Sequence, residues 1–159
     1  MLADKRCFGI DALNTHAGFR FHHFGLAAVY PEKAAAFATA LGYECGPSVF
    51  DPLQDVNLRW CVHPAAPALE IVSPASPDGP LKRILLEQPS SFYHLCYAII
   101  TDTATALEQL RAHGKRVITV MSPVPAVLFG GRKVSFHTVR GFGLWELLEA
   151  GSASDGNAS

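Results

Sequence analysis

Apolar and polar positions along this chain change period several times, and the changes come in two matching rounds. Residues 21–27 read FHHFGLA and residues 92–98 read FYHLCYA. Each places Phe two residues before a His, followed by an apolar, a small and an apolar residue and then Ala. Such strand-like alternation, repeated at a distance, signals a duplicated unit. Each segment leads into a helical pattern. The first runs from Pro31 to Leu41 and is closed by Gly42, with a proline suited to a first turn and a glycine suited to a C-cap. The second follows Asp102, a plausible N-cap, carries Leu107 and Leu110 on one face, and is closed by Gly114. Strand-length runs come next, at 56–62 and 68–73 in the first half, with a weaker one at 44–49. In the second half they lie at 117–120, 132–138 and 144–149. The order β-α-β-β-β occurs twice, which predicts an α+β fold of two βαβββ modules.

The punctuation of the chain sets the expected boundaries. Residues 1–18 read as an N-terminal extension, 19–74 as module one, and 91–150 as module two. The proline-rich connector 75–90 lies between the modules, with a short helix expected over 81–87. Residues 19–150 then form one domain, and the small, polar tail 151–159 is expected to be disordered.

Composition narrows the partners. The chain has 159 residues, 49% of them hydrophobic, and a formal net charge of −1. That suits one compact domain and gives no basic surface for nucleic acid. No apolar stretch reaches membrane-spanning length, and the N-terminus has no signal-peptide core, so no membrane partner and a cytoplasmic location are expected. Cys7, Cys45, Cys61 and Cys96 form neither C-x-x-C nor a zinc-finger spacing, and are read as reduced thiols.

Candidate chemistry sits inside the duplicated strands. Strict alternation puts His23, Gly25 and Ala27 on one face and His22, Phe24 and Leu26 on the other. In the repeat, His94, Cys96 and Ala98 share a face. A face of His and small residues leaves room for a ligand. Each half also ends in an apolar strand with an embedded acid, Glu70 among residues 68–72 and Glu146 among residues 144–148. An unpaired carboxylate buried in such a strand costs roughly several kcal/mol. Two acids at matched places, each with its own His, ask for a shared partner. One divalent cation meets that need, and the mixed N/O donor set suits Zn, Co, Ni, Mn or Fe. His23, Glu70, His94 and Glu146 are therefore the expected metal ligands. Each residue alone has a plainer explanation, as a satisfied core histidine or an edge glutamate reaching solvent. Glu44 and Glu149 are read in the latter way. His16, His63, His113 and His137 lack a repeat partner and are given surface or core roles.

At these residues the sequence resembles the vicinal oxygen chelate superfamily, which includes glyoxalase I, methylmalonyl-CoA epimerase, extradiol dioxygenases and bleomycin- and fosfomycin-resistance proteins. The resemblance runs over about residues 19–150. It is carried by His23-Phe24-Gly25-Leu26-Ala27, Leu69-Glu70-Ile71-Val72-Ser73-Pro74, Tyr93-His94-Leu95-Cys96-Tyr97 and Gly143-Leu144-Trp145-Glu146-Leu147-Leu148-Glu149. These look like the epimerase-like and lactoylglutathione-lyase-like branch. The resemblance implies a cup-shaped mixed sheet in which the first and last strand of each module supply one metal ligand apiece. It also implies a homodimer. The implied reaction is proton transfer beside a metal-held carbonyl, with Glu146 the first choice as proton carrier and Glu70 the next. The substrate would be a small acyl thioester such as an acyl-CoA, or a hemithioacetal such as a glutathione adduct.

Two places depart from, or add to, that pattern. Leu53 stands where the epimerases carry an additional Glu, with Asp51 and Asp55 as possible substitutes, which puts two-base epimerisation in doubt. Arg132 and Lys133 follow a glycine pair in a segment read as a loop beside the pocket, where they could meet an anionic substrate group or simply form a solvated turn. A metal-free drug-binding protein is the second functional reading. An extradiol-type dioxygenase using His23, His94 and Glu146 is the third.

Overall fold

The computed structural model describes residues 18–151. The expected extension and tail, with Cys7 and His16, lie outside the described residues. The elements run β1 (Phe19–Ala28), α1 (Pro31–Ala40), β2 (Glu44–Asp51), β3 (Val56–Val62), β4 (Ala68–Pro74), β5 (Ser90–Ile99), α2 (Thr103–Ala112), β6 (Val117–Pro125), β7 (Lys133–Val139) and β8 (Gly143–Glu149). A single 3-10 turn, Val127–Phe129, joins β6 to β7. The βαβββ order thus occurs twice.

All eight strands form one open, curled sheet in the order β2-β3-β4-β1-β5-β8-β7-β6. Within each module the first strand pairs parallel with the last, β1 with β4 and β5 with β8. The modules meet where β1 and β5 pair antiparallel. The four central strands are therefore the first and last strands of both modules. The edge strands β2 and β6 carry register shifts and prolines, Pro47 in one and Pro123 and Pro125 in the other. Prolines and bulges are tolerated at a sheet edge and discourage further pairing there.

Helices cover the outer face. Ala35 and Ala38 of α1 pack with Cys61, Leu69 and Ile71. Ala106 and Leu107 of α2 pack with Ile99, Val117 and Leu147. The helix ends follow the sequence closely. Pro31 opens α1, and Gly42 follows it at φ 95°, a left-handed conformation that a side chain would resist. Asp102 caps α2, accepting from the Thr105 amide at 2.9 Å. Inside the cup two apolar clusters flank the middle. One gathers Ala27, Val56, Leu58 and Val72 around Leu81, and the other gathers Cys96, Val134 and Leu148 around Ala126.

Four expectations need correction. Residues 81–87 form turns rather than a helix, because Leu81 is drawn into the cup and only one helical hydrogen bond, Leu85 N–H to Leu81 O at 3.0 Å, follows. Cys45 and Cys61 face each other across β2 and β3 and are joined in a disulfide, which corrects their reading as thiols, while Cys96 is free and buried. Glu149 does not reach for solvent: its carboxylate accepts from the Thr103 amide at 3.0 Å and hydroxyl at 2.8 Å, where the exposed N–H groups and dipole of α2 favour a negative charge. The strand expected over 117–120 runs on to Pro125, so the loop read before Arg132 is confined to the turn that follows β6.

Candidate metal centre

The central strands each contribute one polar side chain to the floor of the cup: Glu70 from β4, His23 from β1, His94 from β5 and Glu146 from β8. All four are buried, none more than 4% exposed. The register explains why they meet. Gly25 lies between Glu70 and His94, and Cys96 lies between Glu146 and His23. Small residues at these two matched positions leave the middle open. Gly25 is the tighter of the two, since a Cβ there would lie 2.0 Å from His94 Cε1.

Distances among the four converge. His23 Nε2 is 3.2 Å from Glu146 Oε2 and 3.6 Å from Glu70 Oε2. His94 Nε2 is 3.5 Å and 3.7 Å from the same oxygens, and the two Nε2 atoms are 3.3 Å apart. Ligands about 2.1 Å from a tetrahedral cation are separated from one another by about 3.4 Å, so the spacing matches a shared ion. Glu146 Oε2 is buried with no hydrogen-bond partner, despite its closeness to His23. An oxygen crowded by nitrogens but not hydrogen-bonded to them is suited to a cation. The residues present fit a divalent metal.

The electrostatics point the same way. Burial pushes the His23 imidazole down, but the carboxylates of Glu146 and Glu70 beside it outweigh that and raise the group to about 9. Burial would raise Glu146, yet His23 and His94 hold it well below the usual carboxylate range. The cluster thus attracts positive charge strongly. Tyr93 is driven up by burial and by the two carboxylates beside it.

A ring of aromatic side chains closes over His23. Trp60 lies 5.1 Å from it and Phe129 5.6 Å, centroid to centroid, and Trp60 and Phe129 are 5.4 Å apart. His94 is flanked by Phe136 at 5.3 Å and Tyr93 at 4.5 Å.

His22 corrects the expectation from strict alternation. A register shift between Phe21 and His23 makes a bulge, and the next shift, between Gly25 and Leu26, lies opposite Tyr93. An extra residue at a bulge re-aims a side chain. His22 turns inward beside His23, within 5.6 Å of Trp60 and 5.3 Å of Phe129, while Phe21 packs outside on Phe24 and Tyr97. Tyr93 is likewise turned into the cup, and Phe92 stays outside against Phe24. Burial lowers the His22 imidazole to about 4, helped by His23 and Arg132.

The other expected residues are not among the four converging side chains. Arg132 donates from Nε to Glu149 O at 2.8 Å, and Lys133 is exposed at the start of β7. Asp51 is consumed by its own turn, accepting from Leu53 N at 2.9 Å and Gln54 Nε2 at 3.0 Å. Asp55 is held by Ser76, and Leu53 is exposed. His137 is a core residue bonded to Ser135 at 2.8 Å.

The description glyoxalase/bleomycin resistance protein/dioxygenase superfamily matches residues 22–136, most of the domain. The chain belongs to that superfamily. Several solved structures share the superfamily fold seen here. A methylmalonyl-CoA epimerase from Mycobacterium tuberculosis is 15% identical, with 90% of this chain and 96% of that one covered at a TM-score of 0.72. A hypothetical protein from Bacillus halodurans is 17% identical, with 89% and 98% covered at 0.71. A Streptomyces coelicolor methylmalonyl-CoA epimerase variant, in complex with 2-nitronate-propionyl-CoA, is 19% identical, with 83% and 97% covered at 0.65. No curated protein sequence gives a significant match. Superfamily members commonly use a divalent metal, and the four converging side chains form a candidate site for one.

The sequence reading set His22 on the opposite face and missed Tyr93, Trp60 and Phe129 around this site. The duplication held a signal for two of them, since His22 and Tyr93 precede the paired histidines at the same position.

Proposed function

We propose that this protein is a metal-dependent isomerase or lyase that moves a proton at the carbon beside the carbonyl of a small acyl thioester or hemithioacetal. The observation that carries the reading is the convergence of His23, Glu70, His94 and Glu146, buried and within 4.8 Å of one another. A divalent cation held by these side chains supplies Lewis acidity toward a carbonyl oxygen. The chain's own groups do the rest. Glu146, whose Oε2 has no hydrogen bond, is the carboxylate placed to take and return the proton, and Glu70 holds the opposite side. Trp60 and Phe129 exclude water from the floor of the cup. With Asp51 engaged in its own turn and Asp55 held by Ser76, a single carboxylate serving one face fits better than a pair of opposed bases.

The epimerase complex with an acyl-CoA analogue supports an acyl thioester as the substrate to try first. A homodimer belongs to this proposal too. Exposed Phe37, Leu41 and Phe92 around an outer groove of about 630 Å³ offer apolar surface of the kind a dimer covers. Among the described residues no helix is long and apolar enough to cross a membrane.

The test is hydrogen–deuterium exchange at the carbon next to the carbonyl, across a panel of small acyl-CoAs and glutathione hemithioacetals, with metal present. Exchange that stops on chelation and returns with metal supports the reading. A protein that binds metal but exchanges no substrate proton contradicts it.

A further inference from the structure

We propose that His22 is a positioning residue that fixes the tautomer and ring orientation of His23 for metal binding. The inference rests on the metal site described above and concerns a side chain outside the ligand set.

His22 Nδ1 lies 2.8 Å from His23 Nδ1. Two imidazole nitrogens at that distance share one proton, one donating and the other accepting. His23 uses its other nitrogen, Nε2, to face Glu146, Glu70 and His94. A neutral imidazole that offers a lone pair at Nε2 must carry its hydrogen at Nδ1. That hydrogen then points at His22, which must accept at Nδ1 and keep its own hydrogen at Nε2. The two rings are thus locked in complementary tautomers. Metal-binding histidines generally donate their outer N–H to a partner that orients the ring, and loss of that partner costs about 10- to 100-fold in metal affinity.

The contrast with the second histidine sharpens the assignment. His94 Nδ1 is buried with no hydrogen-bond partner among the described residues. Its ring is held instead by shape, with Gly25 against one side and Tyr93 and Phe136 around it. Tyr93 occupies the position in module two that His22 occupies in module one, so the same bulge delivers a hydrogen-bond acceptor in one half and an aromatic wall in the other. The bulge on β1 is what allows this: in a regular strand His22 would face the opposite side from His23. His22 is also wedged between Trp60 and Phe129, which limits its rotation.

The experiment compares wild type, His22→Leu and His22→Asn as whole proteins. Leu fills the space without an acceptor, and Asn restores an oxygen near the place of Nδ1. Cobalt(II) affinity is measured by competition with a chelator, and ¹⁵N shifts of the His23 ring report its tautomer. Circular dichroism checks that each variant is folded. The proposal expects wild-type His23, in the zinc-loaded protein, to be neutral and protonated at Nδ1. It expects His22→Leu to bind cobalt about tenfold or more weakly with a mixed His23 tautomer, and His22→Asn to recover most of the affinity. Wild-type affinity in His22→Leu overturns the proposal. Equal weakening in both variants also overturns it, because His22 would then act by filling space. Wild type that binds no cobalt removes the metal reading itself and this proposal with it.

Discussion

The backbone of Gly25 lies directly against the imidazole of His94, so close that a Cβ would meet Cε1 at 2.0 Å, Nδ1 at 2.3 Å and Nε2 at 2.4 Å. Neither the strand nor the ring has space to yield, since both are in the buried centre of the sheet. Gly25→Ala is expected to push His94 out of the cluster and weaken metal binding about 100-fold. Overpacking should also lower stability, by about 1–3 kcal/mol. Metal titration by calorimetry alongside thermal melting checks this. Unchanged metal affinity would mean that His94 is not held by this contact.

The two acids should separate by role. Glu146→Gln is expected to lower the rate of substrate proton exchange by about 100-fold or more at saturating metal, within the range typical of a lost general base. Glu70→Gln should act mainly by weakening metal binding, so that added metal recovers much of the exchange. Exchange rates measured across a metal titration of each variant decide the matter.

Much of this centre was legible in the sequence because burial makes a carboxylate conspicuous. β4 is buried along nearly its whole length, so Glu70 had no face on which to reach water, and its match with Glu146 came from the repeat. The βαβββ order followed from turn and cap residues such as Pro31, Gly42 and Asp102, whose backbone preferences act locally. What escaped was set by contacts distant in sequence. Strict alternation assigns His22 to the wrong face because a bulge depends on how two strands pair. Glu149 read as a solvent-facing acid because the N-terminus of α2 that it caps lies 46 residues away in sequence. The pairing of Cys45 with Cys61 depends on the register of β2 on β3, which no cysteine spacing encodes.

Phe129 should govern access. It sits on the turn Val127–Phe129, followed by Gly130 and Gly131 at φ 63° and 79°, and it packs on both His22 and His23. Removing the ring opens a path to the buried ligands. Phe129→Ala is expected to speed removal of bound metal by a chelator about tenfold or more, with little loss of fold, because local opening then limits access less. Stopped-flow chelation with a metallochromic dye measures it, and an unchanged rate would place the entry route elsewhere.

His137 gives a pH dependence independent of the metal. Burial, reinforced by the Arg111 charge, lowers its imidazole below the ordinary 6.5. Below that value the unfolded chain takes up a proton that the folded chain resists, so the share of stability that His137 controls falls as the pH drops below about 6.5 and is flat above it. His137→Gln, which has no such proton to refuse, should show a smaller loss between pH 7.5 and 5.5. Urea unfolding midpoints at the two pH values give the comparison, and equal losses would show that His137 is not the group responsible.

X-ray absorption at the metal edge, on protein purified without added metal, tests the central claim most directly. The account predicts about one equivalent of a divalent transition metal, a nearest shell of nitrogen and oxygen only, and the outer-shell scattering of two imidazoles that shrinks to one in His23→Ala. A protein without metal that takes none up, or a metal shell with sulfur in it or with no imidazole, would contradict it.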